Sequence, residues 1–202
     1  MVADAKALEK KEKPVLHDPK ITRDFRGSWS GYERDFLFYN PDGPHPRFYN
    51  AAYLSGLDFD DDGRCAVPVD VDGDGDLDLV CLSLQGLRLM ENTLPAKHFA
   101  RVRLRATKSH PSALNAVVRV TAGGVTQQDY VRITEGFMSQ VPPELHFGLG
   151  AAAAIDRMEV VWPSGEKKTW EGLPADRLIE LVEGGEPVAK PLPRWPEESR
   201  PR

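Results

Sequence analysis

The chain has 202 residues, 41% of them apolar and 28% charged, with a net charge of −5. That is room for one sizeable domain or two small ones, in the composition of an ordinary globular protein. Two cysteines are too few for a disulfide framework or a zinc site, and no apolar run approaches the roughly 18 residues that span a bilayer.

Seventeen glycines and 17 prolines are spread along the chain, which favours short elements joined by turns over long helices. Residues 1–25 are rich in Lys and Glu, and MVADAKALEKKEKPVL lacks the apolar core of a signal peptide as written. A short exposed helix over 3–13, ended by Pro14, is one reading of this segment. Four strand candidates follow: FLFYN (36–40), RFYNAAYL (47–54), CAVPV (65–69) and LVCLSLQGLRLMEN (79–92). A boundary falls near Leu94-Pro95.

Beyond it the pattern is clearer. RVRLRAT (101–107) alternates basic and apolar residues at period two, as a half-buried strand must. Segments 116–121, 129–134, 157–162 and 177–182 read the same way, separated by Gly, Pro or Asn. Gly123-Gly124 supplies a hairpin turn, and WPSGE (162–166) supplies another. Such strands, with no helical period among them, predict an all-β sandwich or open barrel. The last stretch, from Gly185, carries five prolines and reads as an extended tail or linker. The expected scheme is a charged N-terminal segment over 1–25, a small β-unit over 26–96, a β domain over 97–184 and a Pro-rich tail over 185–202.

The charge is unevenly placed. Between residues 58 and 78 there are nine acids and one base, Arg64, a local charge of −8 that leaves +3 for the remainder. Within this region VDVDGDGDLDLV (69–80) sets Asp70, Asp72, Asp74, Asp76 and Asp78 at alternate positions. Like charges at this spacing repel unless a cation neutralises them. Calcium takes six to eight hard oxygen ligands, and a loop with carboxylates at positions 1, 3, 5 and 9 and a backbone carbonyl at position 7 can wrap it. Here those are Asp70, Asp72, Asp74, Asp78 and the carbonyl of Asp76, with Gly75 permitting the bend. The EF-hand pattern fails, because Cys81 occupies position 12 and strand-like sequence follows. A strand–loop–strand calcium turn is the expected geometry. A second cluster, DFDDDG (58–63), is expected to be a solvated turn, with the contribution of a further metal ligand as the alternative. Cys65 and Cys81 flank the loop and are read as buried thiols, with a cross-strand disulfide as the alternative.

These residues also carry a resemblance. DVDGDGDLDLV followed by Glu91-Asn92 resembles the calcium-binding FG-GAP or VCBS repeat of integrin-like β-propellers. From about 97 to 184 the chain is similar to the ASPIC/UnbV domain of the cartilage acidic protein family. The similarity lies in RVRLRA, NAVVRVTAGGVTQ, GFMSQ (136–140), LHFGLG (145–150) and VVWPSG (160–165). The resemblance implies a sandwich-like domain preceded by an FG-GAP-type β-unit, in proteins that bind calcium and are secreted or surface-associated. Two departures stand out. Only one repeat is evident, too few for a propeller of four or more blades. An Asn- and Gly-rich segment of the family is here SHPSALNAV.

Other candidates are weaker. GLGAAA (148–153) matches a dinucleotide fingerprint but leads into a strand, so a tight turn is expected. His17, His45, His98, His110 and His146 share no metal-ligand spacing, and no nucleophile motif occurs. The stripe Arg101, Arg103 and Arg105, with Arg119 and Arg132, suggests a solvated sheet face before an anion site. Trp162 and Trp170 are expected to pack across the WPSG hairpin. The expectation is a calcium-binding, non-catalytic interaction or assembly module. It would be a subunit or surface-associated partner of a larger extracytoplasmic complex, with a protein partner, no nucleic acid and no membrane span of its own. A calcium-dependent carbohydrate-binding module and a metal-dependent enzyme are the alternatives.

Overall fold

The computed structural model describes residues 34–41, 47–95, 97–137 and 139–192. The expected helix over 3–13, His17, His45 and the tail beyond 192 lie outside them. All the described secondary structure is β, and among the described residues no helix is long and apolar enough to cross a membrane. The chain divides into two compact units, residues 1–62 and 63–202.

The described part of the first unit holds a two-stranded antiparallel ribbon, β1 (Phe38–Tyr39) and β2 (Tyr49–Asn50). Phe36 and Phe38 stack with ring centroids 5.7 Å apart. The 58–63 cluster is not the solvated turn expected of it. Asp58 pairs with Arg34 at 2.9 Å, and Asp61 and Asp62 are buried.

The second unit begins with a three-stranded antiparallel sheet of β3 (Gly63–Val69), β4 (Asp78–Ser83) and β5 (Gly86–Met90). The acidic segment is the connection between β3 and β4. Cys65 lies opposite Leu82, whereas Cys81 lies opposite Ala66. Successive side chains of a strand alternate faces, so the two cysteines point to opposite sides and remain thiols. Neither is fully buried.

The rest of the unit is a β-sandwich. One sheet runs β11-β10-β7-β8 and the other β13-β12-β6-β9. Their strands are β6 (His98–Arg105), β7 (Val117–Ala122), β8 (Val125–Tyr130), β9 (Glu144–Gly150), β10 (Ala154–Val161), β11 (Lys167–Pro174), β12 (Arg177–Val182) and β13 (Val188–Lys190). All pairings are antiparallel except β6 with β12, which run in parallel at the centre of their sheet. The core follows the period-two pattern: Val102 and Leu104, Val118 and Val120, Leu145 and Phe147, Met158 and Val160, Ile179 and Leu181 are all buried between the sheets. The expected all-β, sandwich-like architecture is therefore present.

Three local readings change and one holds. The strand expected at 129–134 lies earlier, at Val125–Tyr130, because the Gly123-Gly124 turn starts the pairing at Ala122↔Val125. GLGAAA ends β9 and turns into β10, as its missing helix required. The segment from Gly185 is not wholly a tail, since β13 adds to the edge of β12. Trp162 is buried in the core, whereas Trp170 faces Met158 and donates to Glu186 at 2.7 Å. The two tryptophans are thus not partners in register.

Candidate metal centre

The loop between β3 and β4 folds through its own carboxylates. Asp70 Oδ1 accepts the Gly73 amide at 2.7 Å, Asp72 Oδ1 that of Asp74 at 3.1 Å, and Asp74 Oδ1 that of Asp76 at 3.0 Å. Short acidic side chains bind nearby backbone amides in this way and so nucleate a tight loop. Gly73 and Gly75 take φ of +78° and +101°, where a Cβ would be strained.

The coil brings one ligand atom each of Asp70, Asp72 and Asp74 within 4.8 Å of one another. Asp76 adds a carboxylate oxygen that is buried with no hydrogen-bond partner. Its pKa is raised to about 6, first by burial and then by repulsion from Asp74, Asp78, Asp72 and Asp70. Burial also pushes Asp70 upward, against the opposing pull of the Gly73 amide and Arg101. Asp78 plays a different part. It is 3% exposed and opens β4, where Oδ2 accepts the Val71 amide at 3.0 Å and Oδ1 the Asn92 amide at 2.8 Å. It ties the base of the loop to the chain leaving β5.

Two residues far away in sequence complete the surroundings. Arg101 of β6, its side chain 19% exposed, reaches Asp70 Oδ2 at 3.4 Å and Glu144 at 2.6 Å. The Phe99 ring packs against Gly75 so closely that an added Cβ would lie 1.9 Å from a ring carbon. The Phe99 ring is also stacked on His146, with ring centroids 5.8 Å apart. The His146 pKa is lowered to about 4, first by burial and then by Arg101.

The arginine stripe is therefore largely committed. Arg103 binds Glu144 and, at 2.9 Å, Glu180, which also takes Lys190. Burial alone would raise Glu144, but hydrogen bonds from Arg103 and Arg101 outweigh it and hold the carboxyl below its usual range. Arg119 binds Glu159 at 2.6 Å, and Arg132 binds Asp129 at 2.7 Å. Glu159 is held down to about 2, first by Lys167 and then by Arg119.

Chemically, the loop offers a converging set of hard oxygens and an orphaned buried carboxylate oxygen. A small divalent cation such as calcium suits that donor set. Asp70, Asp72 and Asp74 would hold it, with Asp76 beside them. Sequence spacing located these residues. Arg101 and Phe99 were invisible to it, because they meet the loop only through the tertiary fold.

Fold and loop together define an all-β module in which an acidic turn is docked on a sandwich. Residues 106–188 match the family model described as ASPIC and UnbV. The matched segment spans β7 to β12 and begins after the acidic hairpin, which it does not cover. No curated protein matches the chain.

Proposed function

We propose that this chain is a calcium-stabilised, non-catalytic binding and assembly module that works outside the cytoplasm as part of a larger complex. The observation carrying the ion is the convergence of Asp70, Asp72 and Asp74 oxygens beside the buried, unbonded oxygen of Asp76. Such a cluster is costly when bare, since desolvation and mutual repulsion both oppose ionisation. A divalent ion relieves both, and its binding energy becomes folding energy. Extracellular sites of this kind bind calcium at about 10⁻⁴–10⁻³ M, concentrations that the cytosol does not supply.

The assembly role is supported by the β3–β5 sheet. In register, Cys65, Val67, Val80, Leu82, Leu87 and Leu89 share one face, and Leu82, Leu87 and Leu89 remain 43–69% exposed. A short sheet with an apolar face, whose outer strands β3 and β5 join no further strand among the described residues, is a docking surface for another chain.

Calorimetry with calcium chloride, paired with thermal melts in calcium and in EDTA, tests the ion. Heat of binding and a melting temperature that rises with calcium are expected. No heat at millimolar calcium, with melts that coincide, overturns the reading.

A further inference from the structure

A cavity of about 760 Å³ opens beside the acidic loop and is lined by residues from both the loop and the sandwich. Its position follows from topology. Because β6 and β12 are parallel, both begin at the same edge of their sheet, and antiparallel β9 ends there. Lys97 and His98, Asp176 and Arg177, and Gly150 and Ala151 are thereby gathered around one opening. Gly73 and Asp74 of the acidic loop close the far wall.

One group on this wall is held with unusual care. Asp176 adopts φ +56°, a left-handed conformation uncommon for a residue with a side chain. Its amide donates to the Phe99 carbonyl at 2.8 Å, and its Oδ1 accepts the Phe99 amide at 3.3 Å. This reciprocal clamp aims Oδ2 at His98 Nδ1, 2.8 Å away. A carboxylate only accepts, so Nδ1 donates its hydrogen there and Nε2 is the ring nitrogen left for a ligand. Backbone strain of this kind clusters at binding sites. Arg177 is also placed, donating from Nη1 to the Asp176 carbonyl at 2.8 Å, which leaves further donors of its fork for a ligand.

We propose that this cavity binds a saccharide bearing a uronic-acid carboxylate. Lys97 and Arg177 hold the carboxylate through charge-assisted hydrogen bonds. His98 Nε2 and the Asp74 carboxylate accept from ring hydroxyls. Gly73 and Gly150 carry no side chain to obstruct a flat ring, and Pro191 and Leu192 give it an apolar flank. The two acids on the wall disfavour a densely charged phosphate or sulfate, and among the described residues no Ser, Thr or Cys lines the cavity. The site goes beyond the assembly role and does not require the ion.

The test is titration of the full chain with tri-galacturonic acid, its methyl-esterified neutral form, and an N-acetyl-aspartyl peptide, each in EDTA and in calcium. Saturable binding of the acid form is expected, weakened about tenfold or more by methyl esterification or by the Lys97→Ala, Arg177→Ala pair. Arg177→Gln alone, with the unchanged protein and the ester probe, keeps the test decisive if the pair fails to fold. Absence of saturable binding in both buffers overturns the proposal. So does equal binding of the ester, or a peptide that binds as well as the sugar. A lost calcium response with sugar binding intact would sink the ion reading alone.

Discussion

Replacing Gly75 by Ala isolates the docking of the acidic loop on the sandwich. Two costs add. The backbone sits at φ +101°, where a Cβ costs about 1–2 kcal/mol. The new methyl carbon would also lie 1.9, 2.3 and 2.5 Å from three atoms of the Phe99 ring, a ring that is also stacked on His146. Relieving such overpacking costs about 1–3 kcal/mol. Gly75→Ala should therefore lose about 2–5 kcal/mol in denaturant unfolding. Gly124→Ala is the matched control, because its φ is +79° but nothing lies within 4 Å of its added Cβ. It should show the strain alone. A second change separates the two costs: Phe99→Ala in the Gly75→Ala background should be far less harmful than the single losses add up to. If Gly75→Ala and Gly124→Ala destabilise equally, the packing of Phe99 on the loop is wrong.

Other outcomes follow from the same geometry. Asp72→Asn removes the charge of one of three converging carboxylates and should weaken calcium binding about tenfold or more in calorimetry, taking away about half or more of the stabilisation of about 2.7 kcal/mol expected at a hundredfold excess over Kd. Arg101→Gln takes a positive charge from beside Asp70, so calcium affinity should rise several-fold while the calcium-free melting temperature falls as Glu144 loses a partner. His146 is lowered from 6.5 to about 4 in the fold, so the folded state resists protonation. Its contribution is complete above pH 6.5 and is lost as pH falls towards 4, a span worth up to about 3 kcal/mol. Unfolding curves of His146→Gln should show a correspondingly shallower decline over that window.

How much of this was legible depended on where the physical signal lay. Strand β12 was readable to its ends because Leu178, Ile179 and Leu181 are buried between polar neighbours and no turn residue intrudes. Strand β8 was misplaced. It is an edge strand, VTQQDY, with little apolar content, whereas the stronger apolar signal downstream includes Val131, whose backbone bonds to Ala116 and Asn115 outside the ladder. Strand β13 was hidden because Pro187 and Pro191 bracket three residues that pair only with an already folded β12. The convergence of the acidic loop was legible because its carboxylates lie close together in sequence and repulsion at that spacing demands an explanation. Its partners were not. Arg101 is 31 residues from Asp70, and His98 is 78 from Asp176. The parallel pairing of β6 with β12 brings His98 to Asp176, and the packing of the loop against β6 brings Asp70 to Arg101.

Phe99 carries one more implication. The same residue buttresses Gly75 with its ring edge and clamps Asp176 with its peptide. The acidic hairpin is consequently not a portable cassette. Excised as a peptide, or grafted onto another scaffold, residues 63–90 would leave behind both the aromatic shelf and the counter-charge of Arg101, so ion affinity measured on such a fragment would describe a different object from the loop in its own protein.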